Sequence, residues 1–242
     1  MPFYDIAGLR VEIKNNKGRT KKQGVPYLSA CQDAALPADI VIDITPERVQ
    51  QARDEHPEMN SDDWEYMLTG SDFYGNLLKY DGILLHSSCV VVDGVAYAFS
   101  ADSGTGKSTH TALWLKRFGE RAHILNDDKP ALREIDGTIY ACGTPWSGKH
   151  DYSRPEIAPL GGICFLERSE TNWIRPAEKK KAVYNIFAQT VRNLGPHAMN
   201  KLFDVLESIF DKVPLWELGC NISAQAVEVA YNAMKRSKEE IE

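Results

Sequence analysis

The sequence predicts a mixed α/β fold: a sheet containing antiparallel strands, a glycine-rich loop between one of those strands and a helix, and further helices flanking the sheet. Three observations predict it. Apolar runs between Gly82 and Phe99 are interrupted by Asp93-Gly94, a dipeptide suited to a tight hairpin. The last run leads directly into Ala101-Asp102-Ser103-Gly104-Thr105-Gly106-Lys107-Ser108, and a helical stretch follows. The hairpin makes the strand feeding that loop antiparallel to its predecessor, where a βαβ unit would supply a helical crossover.

The elements follow in chain order. Residues 1–80 read as a small N-terminal α/β region packed on a core of 81–242. Leu9, Val11 and Ile13 alternate as in a strand, and Ile40 to Ile44 is a second apolar run. Thr45 caps a helix with Pro46 at its first position and Glu47 in its first turn, and His56-Pro57 stops it. Ser61 to Tyr80 is expected to be helical, with Ser61 as cap and Asp62 and Asp63 at the positive end; Gly70 and Gly75 weaken its second half. Strands are expected at Ile83 to Leu85, Cys89 to Val92, Val95 to Phe99, His123 to Leu125 and Gly162 to Leu166. A helix is expected at Lys107 to Phe118 and a second hairpin around Asp136-Gly137. Ala177 to Asn193 and Ala198 to Phe210 read as helices, Val213 to Leu218 as a returning strand, and Ser223 as the cap of a terminal amphipathic helix.

Bulk properties exclude several classes. A chain of 242 residues buries enough core to fold without disulfides or a structural metal. No apolar stretch approaches the roughly 20 residues of a membrane span, and Met1 to Arg10 lacks the pattern of a secretory signal, so a cytoplasmic location is expected. The five cysteines form no Cys-x-x-Cys element, which points to buried reduced thiols. A net charge of -6 gives no general attraction to nucleic acid or anionic lipid. The basic stretch Lys14 to Lys22 reads as a solvated loop, and Lys179-Lys180-Lys181 as the solvated face of a helix.

The loop carries the chemistry. Gly104 and Gly106 let backbone N–H groups approach phosphate oxygens, and the helix start adds its unpaired donors and positive end. Lys107 supplies a charge between the outer phosphates, and the Ser108 hydroxyl is a natural ligand for Mg2+. Asp102, Ser103, Gly104, Thr105, Gly106, Lys107, Ser108 and Thr109 are thus the candidate binding set for ATP or another phosphoryl donor. Ala101 stands where the standard motif has glycine. A plain glycine-rich turn capping a helix explains Gly104 and Gly106 but not Lys107-Ser108.

Asn126-Asp127-Asp128-Lys129 follows a strand expected beside the loop, so one aspartate can take a proton while the other holds magnesium, with Asp128 as candidate metal ligand beside Ser108. Turn formation is the competing reading of the pair. His86 ends another strand and is either structural or a partner of a nearby carboxylate. Gly143 to Lys149 is turn-rich, with His150 and Arg154 beyond it. Lys149 or Arg154 is expected to stabilise charge on the transferred group or to hold an acidic acceptor, unless this is a surface loop anchored by Trp146.

From His86 through Asp128 the chain resembles the catalytic domain of bacterial HPr kinase/phosphorylase, a relative of phosphoenolpyruvate carboxykinases. The match lies in the order of His86, Asp102 to Ser108, and Asp127-Asp128. The resemblance implies a P-loop fold of that type, an aspartate pair supplying the general base and ordering the metal, and His86 tuning the carboxylate. Gly143 to Lys149 occupies the region where HPr kinases carry Glu-x-Arg-Gly-x-Gly, so the chain looks closer to shorter HPr-kinase-like proteins, some of which phosphorylate serine in small molecules or peptide precursors. The expected function is an ATP- and magnesium-dependent transfer to a hydroxyl of a peptide, protein or small molecule. The alternatives are a nucleotide-binding regulatory protein and a pyrophosphate- or ADP-using enzyme. A homo-oligomer stays open.

Overall fold

Strict alternation builds the first sheet. In the computed structural model, which describes residues 2–14, 16–191 and 194–242, β1 (Phe3–Ile6) pairs antiparallel with β2 (Leu9–Lys14), and β3 (Ile40–Asp43) joins β2 in parallel. Leu9, Val11 and Ile13 are buried while the residues between them stay half-exposed, the period of two expected for a sheet with one covered face.

The basic stretch is not a solvated loop throughout: α1 spans Gly18–Gly24, with Thr20 and Gln23 buried. Its inner face is polar and satisfied by hydrogen bonds, Thr20 Oγ1 lying 3.2 Å from Thr69 Oγ1, so no apolar periodicity announces it. In α2 (Pro46–Glu55) the Thr45 hydroxyl accepts from the Arg48 amide as expected. In α3 (Ser61–Leu77) the cap is Asn60 rather than Ser61, its Oδ1 accepting from the Asp63 amide at 2.9 Å. Gly70 is a packing residue rather than a weak point, since a Cβ there would meet the Trp146 ring at 3.0 Å.

The main sheet is built from β4 (Gly82–Leu84), β5 (Ser87–Val92) and β6 (Val95–Ser100), then, after α4 (Lys107–Phe118), β7 (Ala122–Asn126), β8 (Ala131–Ile135), β9 (Thr138–Cys142), β10 (Ile157–Arg168) and β11 (Trp173–Pro176). After α5 (Lys179–Ala188) and α6 (Pro196–Lys212), β12 (Leu215–Cys220) returns to the sheet and α7 (Ala224–Met234) follows. The last two residues of the expected helix Ala177 to Asn193 lie outside the described residues. The strand order is β4-β8-β9-β10-β6-β5-β7, with β12 on β10 and β11 on β12. The Asp93-Gly94 turn forms with positive φ at both residues, and β5 and β6 are antiparallel. β10 is parallel to β6 and β12 but antiparallel to β9, so the sheet is mixed.

Helices cover both faces. Ile186 of α5 and Leu202, Leu206 and Ile209 of α6 pack with Leu132, Ile139 and Ile163 on one face; Trp114 of α4 and Val227 and Ala230 of α7 pack with Val90, Tyr97 and Phe99 on the other. A third apolar cluster joins the N-terminal elements to the main sheet through Phe73, Leu77, Ala131, Cys142 and Trp146. Four of the five cysteines are buried or half-buried, and Cys31 is exposed, contrary to the expectation of uniform burial. Among the described residues no helix is long and apolar enough to cross a membrane.

Candidate functional site

The loop leaves the C-terminal end of β6 and feeds α4. Gly104 has φ +79° and Gly106 φ +124°, backbone that side-chain-bearing residues rarely adopt, and no atom lies within 4 Å of where a Cβ would sit on either. α4 starts without a side-chain cap, so its first N–H groups remain for an anion. Ala101 is not among the residues with positive φ, which explains why alanine serves at the first loop position. Lys107 is buried, its Nζ donating to the carbonyls of Ala101 at 2.8 Å and Asp102 at 3.4 Å. Burial pulls its ammonium below the usual lysine value, against the opposing fields of Asp128, Asp102 and Asp127. Ser108 and Thr109 are exposed on the first turn of α4.

The carboxylates are placed by Asn126, which is fully buried at the end of β7. Its Oδ1 accepts from the amides of Asp128 at 2.9 Å and Lys129 at 2.7 Å, and its Nδ2 donates to the Thr144 carbonyl at 3.0 Å. Asn126 thereby makes the turn, and both aspartate side chains are left out of it. Asp127 Oδ1 accepts from the Ser88 hydroxyl at 2.5 Å, and Ser88 in turn lies 2.7 Å from Thr111 of α4. Asp128 faces His86 Nε2 at 3.3 Å and pairs with Lys129. Burial alone would raise the Asp128 carboxyl, but the hydrogen bond from His86 and the charge of Lys129 outweigh it and hold it at about 2.

His86 is not a free-standing structural histidine. Its amide donates to the Gln189 carbonyl at 2.8 Å, its Nδ1 lies 2.9 Å from Gln189 Oε1, and Gln189 Nε2 donates to Asp102 Oδ1 at 3.1 Å. One glutamine at the end of α5 thus ties the loop to the histidine that touches Asp128.

A cleft of about 350 Å³ brings most of these groups together, lined by His86, Ser103, Gly104, Gly106, Lys107, Ser108, Thr109, Asp127, Asp128 and the segment Ser147 to His150. Lys149 lines it. Arg154 does not: its side chain is exposed while its amide holds the Leu125 carbonyl at 3.0 Å. Asp102 and Thr105 line an adjoining cavity with Glu167 and Arg168.

No protein-family model matches the chain, and no curated protein matches it in sequence. Among solved structures the chain is similar to the Hpr(Ser) kinase/phosphatase from Coxiella burnetii, with 11% sequence identity and a TM-score of 0.38; the match covers 62% of this chain and 95% of that one.

The donor set fits magnesium. Among the described residues no group of three or more His, Cys, Asp or Glu could hold a metal, and Mg2+ needs none, since it is commonly bound by one or two protein oxygens together with phosphate oxygens and water. Ser108 and Asp128 both line the cleft and are the residues that would hold it.

Several groups at the site left no local signal. Arg168 at the end of β10 donates to the Gly104 carbonyl at 2.6 Å and the Thr105 carbonyl at 3.3 Å, clipping the loop from outside. Gly148 is fixed by the Tyr66 hydroxyl at its amide and by Arg19 and Gln23 at its carbonyl. It has φ +75°, and a Cβ there would press on Asp128 Cβ at 2.9 Å. In the segment Gly143 to Lys149, Trp146 is an anchor stacked on Phe73 at 4.9 Å, and Ser147 to Lys149 line the cleft. Lys181 is more than a solvated charge, pairing at 3.0 Å with Glu217, whose side chain is almost fully buried.

Proposed function

We propose that the protein is an ATP- and magnesium-dependent kinase that transfers a phosphoryl group to a hydroxyl, the acceptor being a serine of a peptide or protein or a hydroxyl-bearing small molecule. The observation that carries this reading is that a single cleft is lined at once by the phosphate-binding groups Gly104, Gly106, Lys107 and Ser108 and by Asp127, Asp128 and His86.

On this reading the loop amides and Lys107 hold the phosphates in line with the acceptor, since phosphoryl transfer is mainly positioning and charge stabilisation. Ser108 and Asp128 hold magnesium, which when bound neutralises phosphate charge. A carboxylate held at about 2 is a weak base at neutral pH, so the acceptor proton goes to Asp127. Its Oδ1 is oriented by Ser88, and its second oxygen has no hydrogen-bond partner among the described residues. Lys149, rather than Arg154, supplies the cation for the transferred group or for an acidic acceptor. Residues 1–80 act as a region buttressing a catalytic core of 81–242.

The test is transfer from gamma-labelled ATP with magnesium to free serine, a serine peptide pool or HPr, with Lys107→Ala and Asp127→Asn alongside. Labelled acceptor that disappears in both variants supports the kinase. Tight ATP binding with no labelled product from any acceptor moves the assignment to a nucleotide-binding regulatory protein.

A further inference from the structure

The mouth of the acidic cleft is edged by exposed cations. Lys149 and His150 line it, and Arg154 stands exposed a few residues on. Between them Tyr152 is 58% exposed and stacks on the His150 ring at 6.0 Å, so two rings lie in water beside the cleft. α1 borders the same segment, since its Arg19 and Gln23 hold the Gly148 carbonyl. Just beyond α1, the Tyr27 hydroxyl and the Arg154 carbonyl share the space that a Cβ on Gly143 would fill. Lys22 lies one turn along from Arg19 and Val25 one turn further, and both are exposed.

The acidic groups on this side are already engaged. Asp63 pairs with Arg19 at 3.8 Å, Glu65 accepts from the Lys17 amide at 2.7 Å, and Asp151 accepts from the Ser147 hydroxyl at 3.3 Å. Among the described residues Lys21, Lys22, Lys149 and Arg154 form no ion pair. They gather against the trend of a chain whose net charge is -6, and such a local field draws the opposite charge. Exposed aromatic rings among cations are the composition of a protein-binding surface. The surface also reaches the chemistry, because the Tyr152 carbonyl accepts from the Asp127 amide at 3.0 Å. A segment docked over Tyr152 is therefore held within one hydrogen bond of the residue proposed as base.

We propose that the surface formed by Lys22, Val25, Lys149, Tyr152 and Arg154 docks an acidic, partly apolar segment of a polypeptide acceptor, whose serine then enters the cleft. A free small molecule has no use for a surface that extends from the cleft onto α1, so the acceptor is a peptide or protein. The inference rests on the kinase reading of the cleft.

Fluorescence anisotropy of the full chain tests it with two labelled serine peptide pools, one carrying Asp, Glu and Leu around the serine and one carrying Lys, Arg and Leu, alongside a labelled oligonucleotide. Wild type is compared with Lys22→Glu/Arg154→Glu, with thermal melting to verify folding and a Mg-ATP titration to verify the loop. The wild type is expected to bind the acidic pool at least about tenfold more tightly than the basic pool at low salt, the margin shrinking as salt rises. The double variant, changed only at exposed positions, is expected to lose that margin and to keep its ATP affinity. Equal binding of the two pools, undiminished binding of the acidic pool by the variant, or tighter binding of the oligonucleotide overturns the docking surface. Transfer from gamma-labelled ATP separates the two failures. Label on free serine with the acidic pool unbound overturns the docking surface alone, whereas acidic peptides that bind and take no label overturn the kinase reading and the acceptor role with it.

Discussion

Gln189 joins two parts of the site that lie 87 and 103 residues away in sequence, Asp102 and His86. The Asp102 carboxylate accepts from the amide nitrogen, which turns Oε1 toward His86 Nδ1 and holds the ring with Nε2 toward Asp128. Gln189→Ala is expected to lower turnover by about tenfold or more, as loss of an outer partner of a site histidine does, while the Kd for ATP stays unchanged because the loop amides and Lys107 are untouched. Equal losses in affinity and turnover would instead mean that Gln189 merely supports the loop.

His110, one turn into α4, is buried and accepts at Nε2 from the Trp114 indole at 3.0 Å. Burial pushes its imidazole down to about 4, so the fold favours the neutral ring. The unfolded chain takes up the proton first as pH falls, and the stability tied to His110 is complete above about 6.5 and is lost between there and about 4, on the order of 3 kcal/mol. Urea midpoints measured across that range are expected to fall with acid, and to fall less in His110→Gln, whose amide oxygen can still accept from Trp114.

At the scale of elements, the caps set where helices begin. Asn60→Ala is expected to cost about 1 kcal/mol in urea denaturation and Ser61→Ala close to nothing, because the cap hydrogen bond of α3 comes from Asn60. α1 serves the site instead, because its Arg19 and Gln23 hold the Gly148 carbonyl from 129 and 125 residues away, and Gly148 in turn packs on Asp128. The double variant Arg19→Ala/Gln23→Ala is expected to reduce turnover severalfold with ATP affinity retained, a separation that paired binding and rate measurements would read.

At the scale of the molecule, Trp146 joins stability to function. Fully buried, it stacks on Phe73, meets Tyr74 edge-on, fills the space left by Gly70 and donates from its indole to Thr69 at 3.2 Å. The next three residues line the acidic cleft. Trp146→Ala is expected to destabilise the fold by about 3–5 kcal/mol and to reduce phosphoryl transfer in whatever fraction still folds, whereas an equally destabilising cavity among Leu202, Leu206 and Ile209 is expected to leave the folded fraction active.

The sequence by itself determined the features whose signals are local. Gly104 and Gly106 take the backbone their composition allows, the Asp93-Gly94 turn forces the antiparallel hairpin before the loop, and Thr45 and Ser223 cap the helices they precede. Lys107 and the two aspartates were legible as candidates because their residue types and their places at strand ends are readable within a few positions. Only the tertiary structure decided that Asn126 makes the turn and frees the aspartates, that Gln189 and Arg168 bind the site from other elements, that α1 exists and holds Gly148, and that Lys149 lines the cleft while Arg154 does not. These are polar contacts across long stretches of chain. Hydrogen bonds of that kind depend on which elements the packed sheet and helices bring together, and neither periodicity nor spacing along the chain encodes such a meeting.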